Sequence, residues 1–173
     1  DALGYEWFAP AGLNRGGLLD AVDVERKLNT ELSGELYTNR INPIASFPGQ
    51  GIVCWGQNTL QAKPSAFQSI NVRRLLIKLK KYIASASRYL VFENNTASTR
   101  ARFVDTVTPY LETVQAREGI YTFRVIMDET NNPPASIDQK IMYGEIHIQP
   151  ARAAEFIVLD FVAHPTGASF TNA

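Results

Sequence analysis

The chain has 173 residues, about one ordinary domain, with 45% apolar and 20% charged side chains, a balance that excludes a disordered or collagen-like polypeptide. Lysine plus arginine equals aspartate plus glutamate at 17 each, which excludes polyanion binding by net charge and leaves little self-repulsion to oppose association. One cysteine and two histidines exclude an internal disulfide framework and leave almost no route to a protein-only zinc site.

Residues 1–28 read as irregular: the first 20 hold four glycines and a proline, and Trp7 and Phe8 look exposed there. Asn29 or Thr30 can cap a short helix carrying Leu32 and Leu36 one turn apart and ending near Asn39. INPIASFPGQG (41–51) has the proline and glycine content of turns, and Ile52–Trp55 is a short apolar strand. Asn71 is a plausible cap for a helix from Val72 to about Leu90. Val72, Leu75, Leu76, Leu79, Tyr82, Ile83, Ala86 and Leu90 form its apolar stripe. Its other side carries Arg73, Arg74, Lys78, Lys80, Lys81 and Arg88 with no acidic residue between them.

Asn94-Asn95-Thr96 opens a second helix with Phe103, Val104, Val107, Leu111 and Val114 on one stripe. Gly119 is its stop, and Pro109 should kink it or divide it at Thr108. From Ile120 the period becomes two: Tyr121, Phe123, Val125 and Met127 alternate with Thr122, Arg124 and Ile126. Asn131-Asn132-Pro133-Pro134 reads as a loop, Ile141–Gln149 as a second strand and Glu155–Ala163 as a third, with Pro150 stopping the ladder between them. Helices first and strands later predict an α+β fold, with helices on one face of a mostly antiparallel sheet.

Several groupings imitate chemistry. Cys54 with His147 has the makings of a thiol nucleophile and base, but a cysteine inside Ile-Val-Cys-Trp is usually a small buried hydrophobe. Glu145 and His147 share a strand face, with Asp160 and Arg124 on neighbouring strands. Alternation alone generates such polar faces, so a solvated or partner-facing surface is the better reading. Gly49, Gly51 and Gly56 precede a strand rather than opening a helix, unlike a dinucleotide fingerprint. No catalytic residue, metal ligand or cofactor is therefore expected. The six-cation helix face is the most specific signal: a solvated surface whose lysine stems cover apolar area, or a docking face for an acidic partner. Nucleic acid is the weaker form of that second reading, because no reader motif accompanies the helix.

Four blocks then make the sequence resemble the C-terminal region of contractile tail sheath proteins, in order and over nearly the whole chain: Trp7–Gly16, Glu35–Leu60, Ile70–Ile83 and Pro150–Phe161. Phe-Pro-Gly-Gln-Gly from Phe47, Lys-Pro-Ser-Ala-Phe from Lys63 and Val-Thr-Pro-Tyr-Leu from Val107 make it most similar to the T-even-type myophages. The resemblance implies a structural protein and no enzyme, and a fragment of a longer chain, in keeping with a start at Asp1 rather than Met. Residues 1–173 would be the conserved inner domain, with 1–28 and 164–173 irregular or arm-like.

The implied partners are further copies in a helical sheath, the tail tube, and baseplate and tail terminator proteins, with no nucleic acid and no membrane. The implied location is the virion tail, assembled in host cytoplasm. Sheaths of this family share strands between subunits, so Tyr121, Phe123, Val125, Phe156, Val158 and Phe161 are expected in a shared sheet. They attach to the tube through a helix, a role that would fall to Arg73, Arg74, Lys78 and Lys81, with docking to a sheath neighbour as the other use of that face. Related sheaths serve type VI secretion and bacteriocins, the alternative placement within the class.

Overall fold

The computed structural model describes residues 4–159. Helix α1 spans Thr30–Thr38, and Asn29 caps it by accepting a hydrogen bond from the Leu32 amide at 2.8 Å. Strands β1 (Ile44–Phe47) and β2 (Gly51–Cys54) follow as an antiparallel hairpin. The proline and glycine content expected to make all of 41–51 a turn is confined to its tip. There the Gln50 amide donates to the Phe47 carbonyl at 3.0 Å around Pro48 and Gly49, and Gly49 sits at φ +76°. That is the type II arrangement, which wants proline first and a left-handed residue second. On its other edge β2 is bridged to Gly17, so part of the irregular N-terminal segment acts as a third, minimal strand.

A single turn of tight helix at Ala66–Gln68 leads into α2, Ile70–Ser87, which ends in another such turn at Arg88–Leu90. Ser69 occupies the cap position, not Asn71, whose side chain is buried and turned toward the Ala151 carbonyl at 3.5 Å. Helix α3 runs unbroken from Ala97 to Ala116, capped by Thr96. Pro109 therefore does not divide it. The proline lies on the exposed side, where water can satisfy the carbonyl left without its helical donor one turn earlier, so the usual cost of an interior proline is reduced.

Strand β3 (Ile120–Ile126) pairs antiparallel with β4 (Glu145–Pro150). Residues 141–144 precede β4 rather than joining it, and the Asn131–Pro134 stretch leads not to a plain loop but to a short helix, α4, over Pro134–Asp138. Proline suits the first turn of a helix, where its missing N–H has no partner to lose. The third strand expected at Glu155–Ala163 is absent from the part described: residues 151–159 follow an irregular path. Asp160, Phe161 and the 164–173 tail lie outside the described residues. The fold is α+β, and among the described residues the strands pair antiparallel in two separate two-stranded ladders, with Gly17 bridged to the edge of the first.

One cluster holds the main core: Trp7, Leu75, Leu79, Phe103, Val107, Leu111, Val114, Ile120 and Met127, with Phe123, Val125, Ile146 and Ile148 packed on it from the sheet. The 3.6-residue stripes of α2 and α3 thus meet each other and the inner face of β3–β4. Tyr82 and Tyr110 stack across the two helices at 3.7 Å between centroids. Trp7 belongs to this core, at 7% exposure, contrary to its exposed appearance in the sequence. Its indole N–H donates to the Arg117 carbonyl at 2.8 Å, and its ring stacks on Tyr5 at 4.8 Å. A short irregular segment can bury an aromatic residue without any period to announce it.

The end of α3 carries a small conformational cost. The Glu118 amide donates to Gln115 and that of Gly119 to Val114, at 3.0 and 2.9 Å, with Glu118 at φ +60°. This is the Schellman closure, and the left-handed residue is Glu118, one position before the expected Gly119. An L side chain there costs about 1 kcal/mol that glycine does not incur. Glu118 is exposed and makes no side-chain hydrogen bond among the described residues. Glu118→Gly is therefore expected to stabilise the domain by up to about 1 kcal/mol, read as a rise in denaturation midpoint at unchanged slope.

Candidate assembly surfaces

The basic side of α2 is real but already partly occupied. Arg73, Lys78, Lys80, Lys81 and Arg88 are exposed and Arg74 is half-buried. The Lys78 ammonium meets the Glu6 carboxylate at 2.6 Å. The helix has no acid of its own on this face, so the countercharge comes from 72 residues upstream, a pairing no local pattern could reveal. Accepting from Lys78 holds the Glu6 carboxyl below its usual range, and the same bond raises Lys78. What the pair contributes is present at neutral pH and is lost as Glu6 protonates on acidification or Lys78 deprotonates in strong alkali. Both side chains are well exposed, so that contribution is small. Arg73 lies 5.5 Å over the Phe67 ring. Among the described residues no ion pair engages Arg73, Arg74, Lys80, Lys81 or Arg88. Of the four expected docking residues, Arg73, Arg74 and Lys81 thus retain free charge, with Ile77 half-exposed beside them.

The outer face of β3–β4 carries the polar residues that alternation predicts. Arg124 is opposite His147 in register, and the His147 ring lies 3.4 Å from the Glu145 carboxylate, both exposed. Cys54 is on the other ladder, with the Gly56 carbonyl its one side-chain hydrogen-bond partner among the described residues. Cys54 and His147 are therefore not assembled as a nucleophile and base. Among the described residues there is no group of three or more histidine, cysteine or acidic side chains placed to hold a metal ion.

Of the expected shared-sheet residues, Phe123 and Val125 face the core. Tyr121 does not follow them: pairing slips between Ile120 and Thr122, so Tyr121 is the extra residue of a bulge and is 62% exposed. The bulged carbonyl is satisfied by the Gln115 side-chain amide at 2.8 Å. A bulge turns one side chain across the sheet while leaving the alternation on either side intact. No further strand flanks β3 or β4 among the described residues.

Beyond the sheet the most conspicuous surface is a run of four consecutive large apolar residues, Phe156–Leu159, each 70–85% exposed. An extended apolar segment of this kind is a surface waiting to be covered. Just before it, Glu155 is held by two elements of the other half of the domain: one carboxylate oxygen accepts from the Tyr37 hydroxyl at 2.7 Å, the other from the Gln57 amide at 3.2 Å. This contact, invisible to sequence spacing, borders a groove of about 430 Å³ whose walls include Ile41, Pro43, Trp55 and Phe156.

The Glu35–Leu60 block that carries the resemblance has structural work in this half. Asn42 and Asn58 exchange two hydrogen bonds of 2.8 and 2.7 Å, and Arg40 forks onto the carbonyls of Gln61 and Ala62. These bonds pin the otherwise irregular 56–69 connection to the end of α1.

Comparison with known proteins gives the family to which the chain belongs. Residues 62–164 match the family described as the phage tail sheath C-terminal domain. The chain is 41% identical over 172 residues to the tail sheath protein of Vibrio phage KVP40, covering 99% of this chain and 26% of that protein. It is also 41% identical over 170 residues to the tail sheath protein of Enterobacteria phage T4, covering 98% and 26%. The chain thus spans about a quarter of the length of these relatives. Among solved structures it is similar to the PVC sheath complex of an extracellular contractile injection system in its contracted state, at a TM-score of 0.83 and 27% identity, over 91% of this chain and 46% of that one. It is likewise similar to a chain of the anti-feeding prophage baseplate, at 0.80 and 28%, over 92% and 45%.

Proposed function

The chain belongs to the phage tail sheath C-terminal domain family, and on that premise we propose that it is the conserved inner part of a sheath subunit. In this reading the subunit polymerises helically around a tail tube and contracts to drive the tube through the host envelope. The observation that carries it is the alignment of nearly the whole chain with phage tail sheath proteins. The same alignment favours a phage tail in the virion over a secretion or bacteriocin sheath, and assembly in the host cytoplasm belongs to this reading. Baseplate and terminator proteins are the partners expected at the two ends of such a polymer.

The physical features suit a mechanical part rather than an enzyme. Cys54 and His147 stand on separate ladders, the Glu145–His147 pair is exposed on the outer face of the sheet, and among the described residues the largest surfaces without a partner are an apolar run and a basic helix face. Work in such an assembly comes from exchanging one set of packed contacts for another. Interfaces are bistable, so the exchange is cooperative. A gain of a few kcal/mol per subunit, over on the order of hundreds of subunits, needs no nucleotide.

Two surfaces then take roles. The β3–β4 ladder and the Phe156–Leu159 run are the pieces that neighbouring subunits share, the run adding a strand to a partner's sheet by main-chain hydrogen bonds. Phe123 and Val125 supply the inner face of that sheet. The basic face of α2 lies toward an acidic surface of the tube, with Arg73, Arg74 and Lys81 in contact and Lys78 committed to Glu6. Charge reversal at Arg73 and Lys81 together is expected to prevent the full-length protein from coating tubes, seen by negative-stain electron microscopy, while circular dichroism stays native. Unimpaired coating at physiological salt would remove the tube-facing role of this helix.

A further inference from the structure

After β4 the chain crosses from one half of the domain to the other. Ala151 is tied to the sheet half: its N–H donates to the Gly119 carbonyl at 3.1 Å, and its carbonyl accepts from the Asn71 amide at 3.5 Å. Four residues on, Glu155 is bound by Tyr37 of α1 and by Gln57, just beyond β2. Phe156 then meets the Tyr37 ring edge-on at 5.6 Å. Among the described residues, 152–159 make no main-chain hydrogen bond within the chain. Side chains alone therefore hold this strap.

Those side chains are committed to it. Gln57 and Asn71 are 5% and 4% exposed, and the carbonyl oxygen of each is buried without a donor. A buried amide that leaves its oxygen unpaired gives up about 1–3 kcal/mol, so its NH2 is being used for something the fold requires. In both residues the NH2 is spent on the strap. Gln57 is itself fixed by its main-chain carbonyl, which accepts from the Ile70 amide at 2.8 Å.

We infer that Tyr37 and Gln57 clamp Glu155 so as to anchor the root of the C-terminal segment and set the point from which Phe156–Leu159 leave the domain toward a second copy of this chain. The anchoring stands on the geometry; the destination rests on the proposed function. A carboxylate suits the position because its two oxygens accept from two elements at once. Glutamine keeps one acceptor and no charge, so the Tyr37 hydroxyl must turn from donor to acceptor and both charge-assisted bonds are lost. A pull on the segment is then delivered to α1 and the hairpin as well as to the sheet, so both halves move as one. Donation to Glu155 also holds the Tyr37 phenol above its usual range.

The test uses the full-length protein in its unassembled state. Arg152 is exposed between the two anchors, so tryptic cleavage of the Arg152–Ala153 bond, followed by mass spectrometry, reports release of the strap. Tyr37→Phe and Glu155→Gln are each expected to raise that cleavage rate about tenfold, and the double variant no further than the stronger single, because both break one contact. In Glu155→Gln the Tyr37 phenol, followed by ring-labelled NMR, should titrate lower. Unchanged cleavage, single effects that multiply in the double variant, or an unmoved phenol would each overturn the clamp. Electron microscopy of the same variants separates the two parts: a loosened strap with unimpaired assembly would overturn the clamp's role toward a second copy. A wild-type protein that never assembles would count instead against the sheath reading.

Discussion

Truncating Trp7 to alanine is expected to lower the stability of this domain by about 3–5 kcal/mol, the range for removing a large buried aromatic side chain. The residue is nine-tenths buried against the C-terminal end of α3, and its indole N–H satisfies the Arg117 carbonyl at 2.8 Å. That carbonyl belongs to the closing residue of α3 and has no helical donor of its own. The packing there has little slack: a Cβ placed on Gly119 would stand 3.1 Å from the Trp7 ring and 2.6 Å from Val114. The site cannot collapse far to fill the space, which puts the cost toward the upper end of the range. Domains of this size have about 5–15 kcal/mol in total, so the variant should be marginal at 37 °C. Equilibrium urea unfolding checks this, and a loss below about 1 kcal/mol would mean that the N-terminal segment is not part of the core.

Proline in the exposed apolar run is expected to abolish sheath assembly while leaving the domain folded. Residues 157 and 158 make no main-chain hydrogen bond within the described chain, so the isolated domain loses nothing when either N–H is removed. A strand added to a partner's sheet does lose. Only alternate N–H groups face the partner, so Ile157→Pro and Val158→Pro form a pair of which one must strike a ladder bond. Removing that bond and forcing the neighbouring strand to adjust to the ring should raise the critical concentration for assembly at least tenfold, the effect of about 1.4 kcal/mol per subunit contact. Sedimentation of assembled material reads it directly. If both variants assemble like wild type, the run does not pair through its backbone.

The parts legible in the sequence are those whose signal is periodic. The apolar stripes of α2 and α3 recur every turn, and the alternation of β3 survives from Thr122 onward, so helices, strand and the inner core residues Leu75, Leu79, Phe103, Val107, Leu111 and Val114 could be read directly. Asn29 was legible as a cap because its chemistry is local. What escaped was decided by contacts distant in sequence. Trp7 is buried because it meets the end of α3 110 positions away, and Lys78 is neutralised by Glu6 across 72. Strand β1 is hidden by the prolines that flank it, and Tyr121 by a bulge that shifts the period by one. Ser69 displaces Asn71 as cap because Asn71 is needed to hold Ala151. The candidate surfaces divide in the same way: the charge of α2 is written along one helix, whereas the Glu155 clamp joins three segments that no spacing connects.

In the proposed function this domain acts through contacts between copies of itself, with the Phe156–Leu159 run as the shared element. A cryo-electron microscopy reconstruction of the assembled full-length sheath is its most direct test. The run should form main-chain hydrogen bonds with the sheet of a neighbouring subunit, with Glu155 still bound by Tyr37 and Gln57 of its own chain. A sheath in which the run packs only on its own domain, and in which no strand crosses between subunits, would contradict it.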